Sequence, residues 1–235
     1  MNTIAIIPAR GGSKRIPRKN IKSFLGKPII AYSIEAALNS NLFSEVMVST
    51  DDHEIAEIAL KYGAKVPFKR SCENSNDFAD TGSVLIEVIE KYKETGKKID
   101  YACCLYPCAP FITSALLDLA FQKMKNESLD AVFPIVKYST PIQRAFKLEN
   151  NKIKSFYPEY LSVRSQDLEG AYYDSGQFYF FKTDIFLREK KMVTTNSSGI
   201  IIDELITQDI DNENDWQLAE LKYKLFTSPS FTKKS

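Results

Sequence analysis

The sequence is poor in the residues that many enzyme chemistries use. Its 235 residues include one histidine, His53, so a histidine triad or a multi-histidine metal site would have to be assembled on that residue alone. His53 follows VSTDD and opens sequence of helical type; it reads as a residue near a helix start with no chemical task. The four cysteines, Cys72, Cys103, Cys104 and Cys108, contain no CxxC pair. Zinc-ligand spacing is therefore missing, and buried reduced thiols are expected. No window approaches the ~20 apolar residues of a membrane span, and MNTIAIIPAR lacks the basic and apolar regions of a secretion signal. A cytoplasmic protein with no membrane partner is predicted. Excess positive charge is missing too: 31 Lys and Arg stand against 30 Asp and Glu. Nothing global is left to track a phosphodiester backbone, so no nucleic-acid partner is expected. Neither GxxxxGKS/T nor GxGxxG occurs, which excludes the two common phosphate loops.

What the chain does have is concentrated in Ile4 to Asn20, IAIIPARGGSKRIPRKN. Ile4 to Ile7 has the length and branching of a buried strand, ended by Pro8. A loop follows in which Gly11 and Gly12 can take dihedrals closed to other residues, letting amides converge on an anion. Around them stand Arg10, Lys14, Arg15, Arg18 and Lys19, five cations in ten residues without an acid. Such a loop calls for water, salt or a polyanion, and a nucleoside triphosphate supplies matching charge with many acceptor oxygens. A solvated basic loop is the plainer alternative.

Further along, strand and helix patterns alternate. IIAYSIEAALNS follows Pro28, a residue suited to a helical first turn; EVMVST reads as a strand; HEIAEIALKYG is helical with Gly63 as its stop; KVPFKR is a short strand or extended segment. A helix from Ser83, a buried strand DYACCLY, a helix capped by Thr113 and the strand LDAVFPIV continue the series. Thr183 is a second candidate cap, NENDWQLAELKYKLF a closing helix, and the tail SPSFTKKS frayed. The alternation predicts an α/β fold with a doubly wound, mostly parallel sheet whose ligands lie beyond the carboxyl ends of the strands. Residues 137–175 break the rhythm with several tyrosines and no helical period. They read as a lid, an arm or a linker, and the tyrosines argue against disorder. One domain of 1–136 and 176–228 with an insertion at 137–175 results.

Near the end, TQDIDNENDW sets Asp209 and Asp211 two apart. In an extended segment both carboxylates face one side while Ile210 points to the core. Two hard oxygen ligands suit Mg²⁺, which completes its shell with water and phosphate. Equally, Asp211 could cap the following helix.

PARGGSKRIPRKNI after an amino-terminal strand resembles the signature of the CMP-sialate synthetase family of cytidylyltransferases. VRSQDLEGAYYDSGQFYFF, YPCAPF and TPIQRAF are most similar to its pseudaminic acid branch. The resemblance implies a Rossmann-like nucleotide-diphospho-sugar transferase fold, CTP and a nonulosonic acid as substrates, Mg²⁺ as cofactor, and an arm exchanged in a homodimer. For nucleotide binding it implies Ala9, Arg10, Gly11, Gly12, Ser13, Lys14, Lys19, Asn20, Arg70, Asp80, Thr81 and Ser83. Asp209 and Asp211 are implied as metal ligands; Arg10, Lys19 and Asp211 carry the catalytic charge. Tyr106, Gln143, Arg144, Arg164, Gln166 and Gln177 are the sugar-binding candidates, with Arg164 suited to a carboxylate. Tyr106 to Pro110 stand where many sialate synthetases have QPTSP, so the sugar stays open among pseudaminic, legionaminic, N-acetylneuraminic and 3-deoxy-octulosonic acids. The strand before Tyr106 lacks the acidic residue expected of the octulosonate branch. A nucleotide-binding regulatory protein is the non-enzymatic alternative.

Overall fold

Alternation along the strands decides the layers. In the computed structural model, which describes residues 1–76 and 79–228, the chain opens with β1 (Thr3–Pro8), the two-residue strands β2 (Ser23–Phe24) and β3 (Lys27–Pro28), and α1 (Ile30–Ser40). Then come β4 (Glu45–Ser49), α2 (His53–Lys61), α3 (Thr81–Glu94), β5 (Tyr101–Leu105), α4 (Ser114–Asn126) and β6 (Ala131–Lys137). A hairpin of β7 (Phe146–Glu149) and β8 (Lys152–Ser155) lies in the insertion. It is followed by β9 (Tyr172–Asp174), β10 (Phe178–Lys182), α5 (Thr183–Glu189), β11 (Ser197–Ile202) and α6 (Glu213–Phe226).

β1 sends Ala5 and Ile7 to one face and Ile4 and Ile6 to the other, all four fully buried. β5 divides in the same way, Cys103 and Leu105 against Ala102 and Cys104. Apolar residues of α1, α2 and α4 pack on the first face, those of α3 and α5 on the second. Each fully buried aliphatic side chain contributes roughly 1.5–3 kcal/mol, so a central strand apolar on both sides favours a sheet sandwiched between helices.

The strand order is β11-β6-β10-β5-β1-β4, with β9 also on β6. β1 is parallel to β4 and β5, and β11 to β6, while β10 runs antiparallel between β5 and β6. A mostly parallel, doubly wound sheet is therefore present, with β10 reversed. Its reversal has a simple cause. The insertion leaves β6 at the carboxyl rim, returns through β9 paired antiparallel to β6, and β10 must start where the insertion ends. Gly176, at φ 65°, bends the chain between β9 and β10 in the left-handed region that favours glycine.

Several local expectations change. Of the two readings of residues 65–70, the extended segment holds: they make only isolated bridges, Met47 with Lys65 and Thr50 with Lys69, because Pro67 removes a ladder donor. Pro28 belongs to β3, and α1 starts at Ile30. Thr183 does not cap α5; its hydroxyl donates to the Ile99 carbonyl. Cys103 and Cys104 are buried as expected, whereas Cys72 is exposed and Cys108 half-buried. The predicted frayed tail, from 229 on, lies outside the described residues.

Candidate active site

The basic loop leaves β1 with Ala9 buried and its N–H donating to the Ser49 carbonyl at 2.9 Å. Neither Gly11 nor Gly12 has a positive φ; the left-handed residue here is Arg18, at 56°. Gly11 is required for closeness instead, since a Cβ there would lie 2.7 Å from Asp52 Oδ2. Its N–H donates to Asp51 Oδ1 at 3.1 Å, so that amide is tied down rather than offered to an anion. Gly12 faces open space. Arg18 turns away from the cleft and donates to both oxygens of Asp52 and to Glu54. Asp52 also caps α2 by accepting from the Ile55 N–H at 3.0 Å. The Arg18 hydrogen bonds hold the Asp52 carboxyl at about 2 against partial burial. One of the five cations is thus structural.

The other four, Arg10, Lys14, Arg15 and Lys19, line a cleft of about 670 Å³ at the carboxyl rim of the sheet. Asn20 braces the loop from beneath: its amide donates to the Arg10 carbonyl at 2.9 Å and its Oδ1 accepts from Cys108 Sγ at 3.3 Å. Burial pushes the Cys108 thiol up to about 12, so it acts as a neutral donor. Arg70 forms part of the cleft wall although it is 6% exposed. Its Nε donates to Ser49 Oγ at 3.1 Å and its Nη2 to the Ser49 carbonyl. Burial lowers its pKa, opposed by Asp51 and Glu87. Asp80 and Thr81 also line the cleft; Ser83 does not, its N–H being used by the Asp80 cap of α3 at 2.6 Å. The Thr81 hydroxyl lies 3.3 Å from that of Tyr106, whose pKa is raised by burial. The Tyr106 N–H donates to the Gln177 carbonyl at 2.9 Å, tying the end of β5 to the start of β10.

Facing the loop is the segment before α6. Asp209, Ile210 and Asp211 line the cleft together, with Ile210 1% exposed and both carboxylates partly solvated. Asp211 does not cap α6. Asn212 does, accepting from the N–H groups of Asn214 and Asp215, and Asp215 returns the bond in a capping box. Asp215 also accepts from the Asp211 N–H at 2.9 Å, which fixes the backbone of the aspartate pair. The two walls share an apolar plug: Ile16 from the loop, Ile210 from the aspartate segment, and Phe24, Tyr32 and Trp216. Phe24 meets Trp216 and Tyr32 edge-on at 5.6 and 5.4 Å. Ion pairs close the seam, Arg15 to Asp211 at 2.8 Å and Lys22 to Glu213 at 2.6 Å, and Lys19 Nζ donates to the Ile210 carbonyl.

The donor set fits Mg²⁺. Among the described residues no cluster of three or more His, Cys, Asp and Glu side chains converges. An ion here would take its protein oxygens from Asp209 and Asp211 and the rest from water and phosphate, as Mg²⁺ does.

The sugar-binding candidates divide. Tyr106 lines the cleft, whereas Gln143, Arg144, Arg164, Gln166 and Gln177 do not. Gln177 is 2% exposed with its amide donating to the Ile206 carbonyl at 2.8 Å, so it holds the bend at Gly176 rather than reaching substrate. Arg144 donates to the Leu161 and Val163 carbonyls, Gln143 to the Glu169 carbonyl, and Arg164 pairs with Asp167. All of these and Gln166 lie in the insertion. His53 is exposed at the start of α2, away from the cleft. Arg15, Cys108 and Gly176 are cleft residues that sequence reasoning had not assigned; Arg15 carried a signal as one of the loop cations and Cys108 as part of the Tyr106 to Pro110 turn, whereas Gly176 carried none.

The cytidylyltransferase family profile matches residues 4–223. A pseudaminic acid cytidylyltransferase of Campylobacter jejuni is 44% identical over 232 residues, 98% of this chain and 100% of that protein. A CMP-N,N'-diacetyllegionaminic acid synthase of Legionella pneumophila is 33% identical over 230 residues, 94% of this chain and 95% of that one. A structure of CMP:2-keto-3-deoxy-manno-octonic acid synthetase complexed with CTP superposes with a TM-score of 0.68 at 19% identity, covering 96% of this chain and 98% of its own; that likeness bears on the fold. With its fold, its cationic loop and a profile match over nearly its whole length, the chain belongs to the cytidylyltransferase family.

Proposed function

We propose that this chain transfers CMP from CTP to the anomeric hydroxyl of pseudaminic acid, releasing pyrophosphate. The observation that carries this reading is one cleft in which Arg10, Lys14 and Lys19 on one wall face Asp209 and Asp211 on the other. The choice of acceptor is supported by 44% identity to the pseudaminic acid enzyme, against 33% to the legionaminic acid enzyme.

In the mechanism the attacking hydroxyl gives its proton to a carboxylate of the cleft and forms a bond to the α-phosphorus as the bond from that phosphorus to the bridging oxygen breaks and pyrophosphate leaves. Arg10 and Lys14 hold the β- and γ-phosphates, and Lys19, anchored on the Ile210 carbonyl, steadies charge at the α-phosphate. Arg70, rigid on Ser49, reads the cytosine, and Asp80 and Thr81 close over the nucleotide. Asp209 and Asp211 would hold Mg²⁺, which when bound would supply neutralisation of the phosphate charge. Preorganised cations of this kind need no reorientation as charge moves to the leaving group, and positioning with neutralisation supplies most of the rate.

The protein is read as a cytoplasmic homodimer joined through the insertion. Phe146, Leu148, Ile153 and Phe156 are each more than half exposed, which suits an arm covered by a second copy. Arg144, Arg164, Gln143 and Gln166 on that arm would then complete the sugar pocket of the neighbouring cleft. Incubating the protein with CTP, Mg²⁺ and each candidate acid tests the acceptor. Pyrophosphate release is expected with pseudaminic acid; faster release with legionaminic or N-acetylneuraminic acid would reassign it, and CTP binding without turnover on any acid would favour a regulatory protein.

A further inference from the structure

Four loop cations line the cleft, and Arg15 is the one without a task in the mechanism above. Its Nη1 lies 2.8 Å from Asp211 Oδ2, with 70% of the Arg15 side chain and 42% of the Asp211 side chain exposed. Lys19 Nζ stands 4.0 Å from the other oxygen of Asp211, but it is anchored on the Ile210 carbonyl and only 22% exposed. Among the described residues Asp211 is the one ion-pair partner of Arg15. The backbone beside it is held, because Ile16 is fully buried in the plug that contains Ile210. Arg15 therefore combines a fixed root with a solvated guanidinium on a carboxylate assigned to the metal. A pair solvated on both sides is weak and readily exchanged, and a guanidinium forms the same forked bonds to phosphate as to carboxylate. Two aspartates side by side would also repel an approaching triphosphate unless one were neutralised.

We propose that Arg15 is a placeholder cation: in the nucleotide-free protein it neutralises Asp211 and competes with divalent metal, and on nucleotide entry it leaves Asp211 for the phosphate oxygens. The metal site then reaches its full affinity only as CTP arrives. This rests on the proposed cytidylyl transfer with metal at Asp209 and Asp211, and adds to it an order of assembly and a further phosphate contact.

Titration of nucleotide-free protein with Mn²⁺, followed by electron paramagnetic resonance, tests the first half without any turnover; KM for CTP tests the second. Arg15→Gln is expected to bind Mn²⁺ about fivefold more tightly than the parent while its KM for CTP rises roughly tenfold. Arg15→Lys should stay near the parent in Mn²⁺ affinity. Unchanged Mn²⁺ affinity in Arg15→Gln, or an unchanged KM for CTP, would overturn the proposal. Asp211→Asn serves as the separate control: Mn²⁺ binding that survives it would remove the metal assignment itself, whatever Arg15 does.

Discussion

Asp52 holds three neighbours at once. It caps α2, it receives Arg18, and it leaves room for nothing larger than glycine at position 11. Its carboxyl, held at about 2 where 3.8 is ordinary, is charged in the fold at pH values where the unfolded chain would be protonated. A depressed folded pKa contributes stability that is complete above about 4 and is lost as pH falls through about 2. After allowance for the solvated side of the Arg18 pair, about 1–2 kcal/mol depends on this charge. Asp52→Asn keeps a capping oxygen but not the charge. Urea titrations between pH 6 and pH 2 should show a shallower acid-side loss of stability in the variant by that amount. Equal slopes in parent and variant would mean that Arg18 adds nothing at this position. The loop's brace on α2 was hidden in the sequence, because Arg18 and Asp52 are 34 residues apart and nothing local marks them as partners.

At the scale of elements, the capping box at the start of α6 sets the aspartate pair. Asn212→Ala removes the cap oxygen and should cost about 1 kcal/mol, lowering Tm by roughly 2–4 °C. Because Asp215 also accepts from the Asp211 N–H, the same change should raise the Mg²⁺ concentration needed for half-maximal turnover. A lower Tm with unchanged Mg²⁺ dependence would separate the cap from the site. The Asp209–Ile210–Asp211 alternation was legible beforehand because an apolar residue between two carboxylates can bury in only one way when extended. Which residue caps α6 was not legible from spacing alone, since Asp211 and Asn212 are both good caps.

The β7–β8 hairpin makes a second prediction at this scale. Leu148 and Ile153, 68% and 70% exposed, are neighbours across its ladder. Replacing both by aspartate should leave the fold of the single chain intact and yield a monomer by light scattering. A double variant that keeps the parent's mass would place the subunit contact elsewhere, and a parent that is itself monomeric would remove the dimer.

Over the whole molecule, the layers were readable because β1 and β5 are apolar on both faces, which only a covered sheet satisfies. The reversal of β10 was not, because strand direction depends on where the 137–175 insertion re-enters, and that is a property of the rim rather than of FYFFK itself. The cationic loop was legible as a unit, whereas the division of labour within it was set by distant partners: Asp52 for Arg18, Asp211 for Arg15, Asn76 for Arg10. The buried plug of Ile16, Phe24, Ile210 and Trp216 joins the two ends of the chain, so that Arg10, Lys14, Arg15 and Lys19 line one cleft with Asp209 and Asp211, where the proposed reading has them act on one ligand. Pyrophosphate release from CTP and pseudaminic acid by the parent, Arg10→Ala and Asp211→Ala measures that claim directly. Loss of either charge contact to the bound nucleotide is predicted to lower turnover about a hundredfold with circular dichroism and Tm unchanged; near-parental turnover in either variant would contradict it.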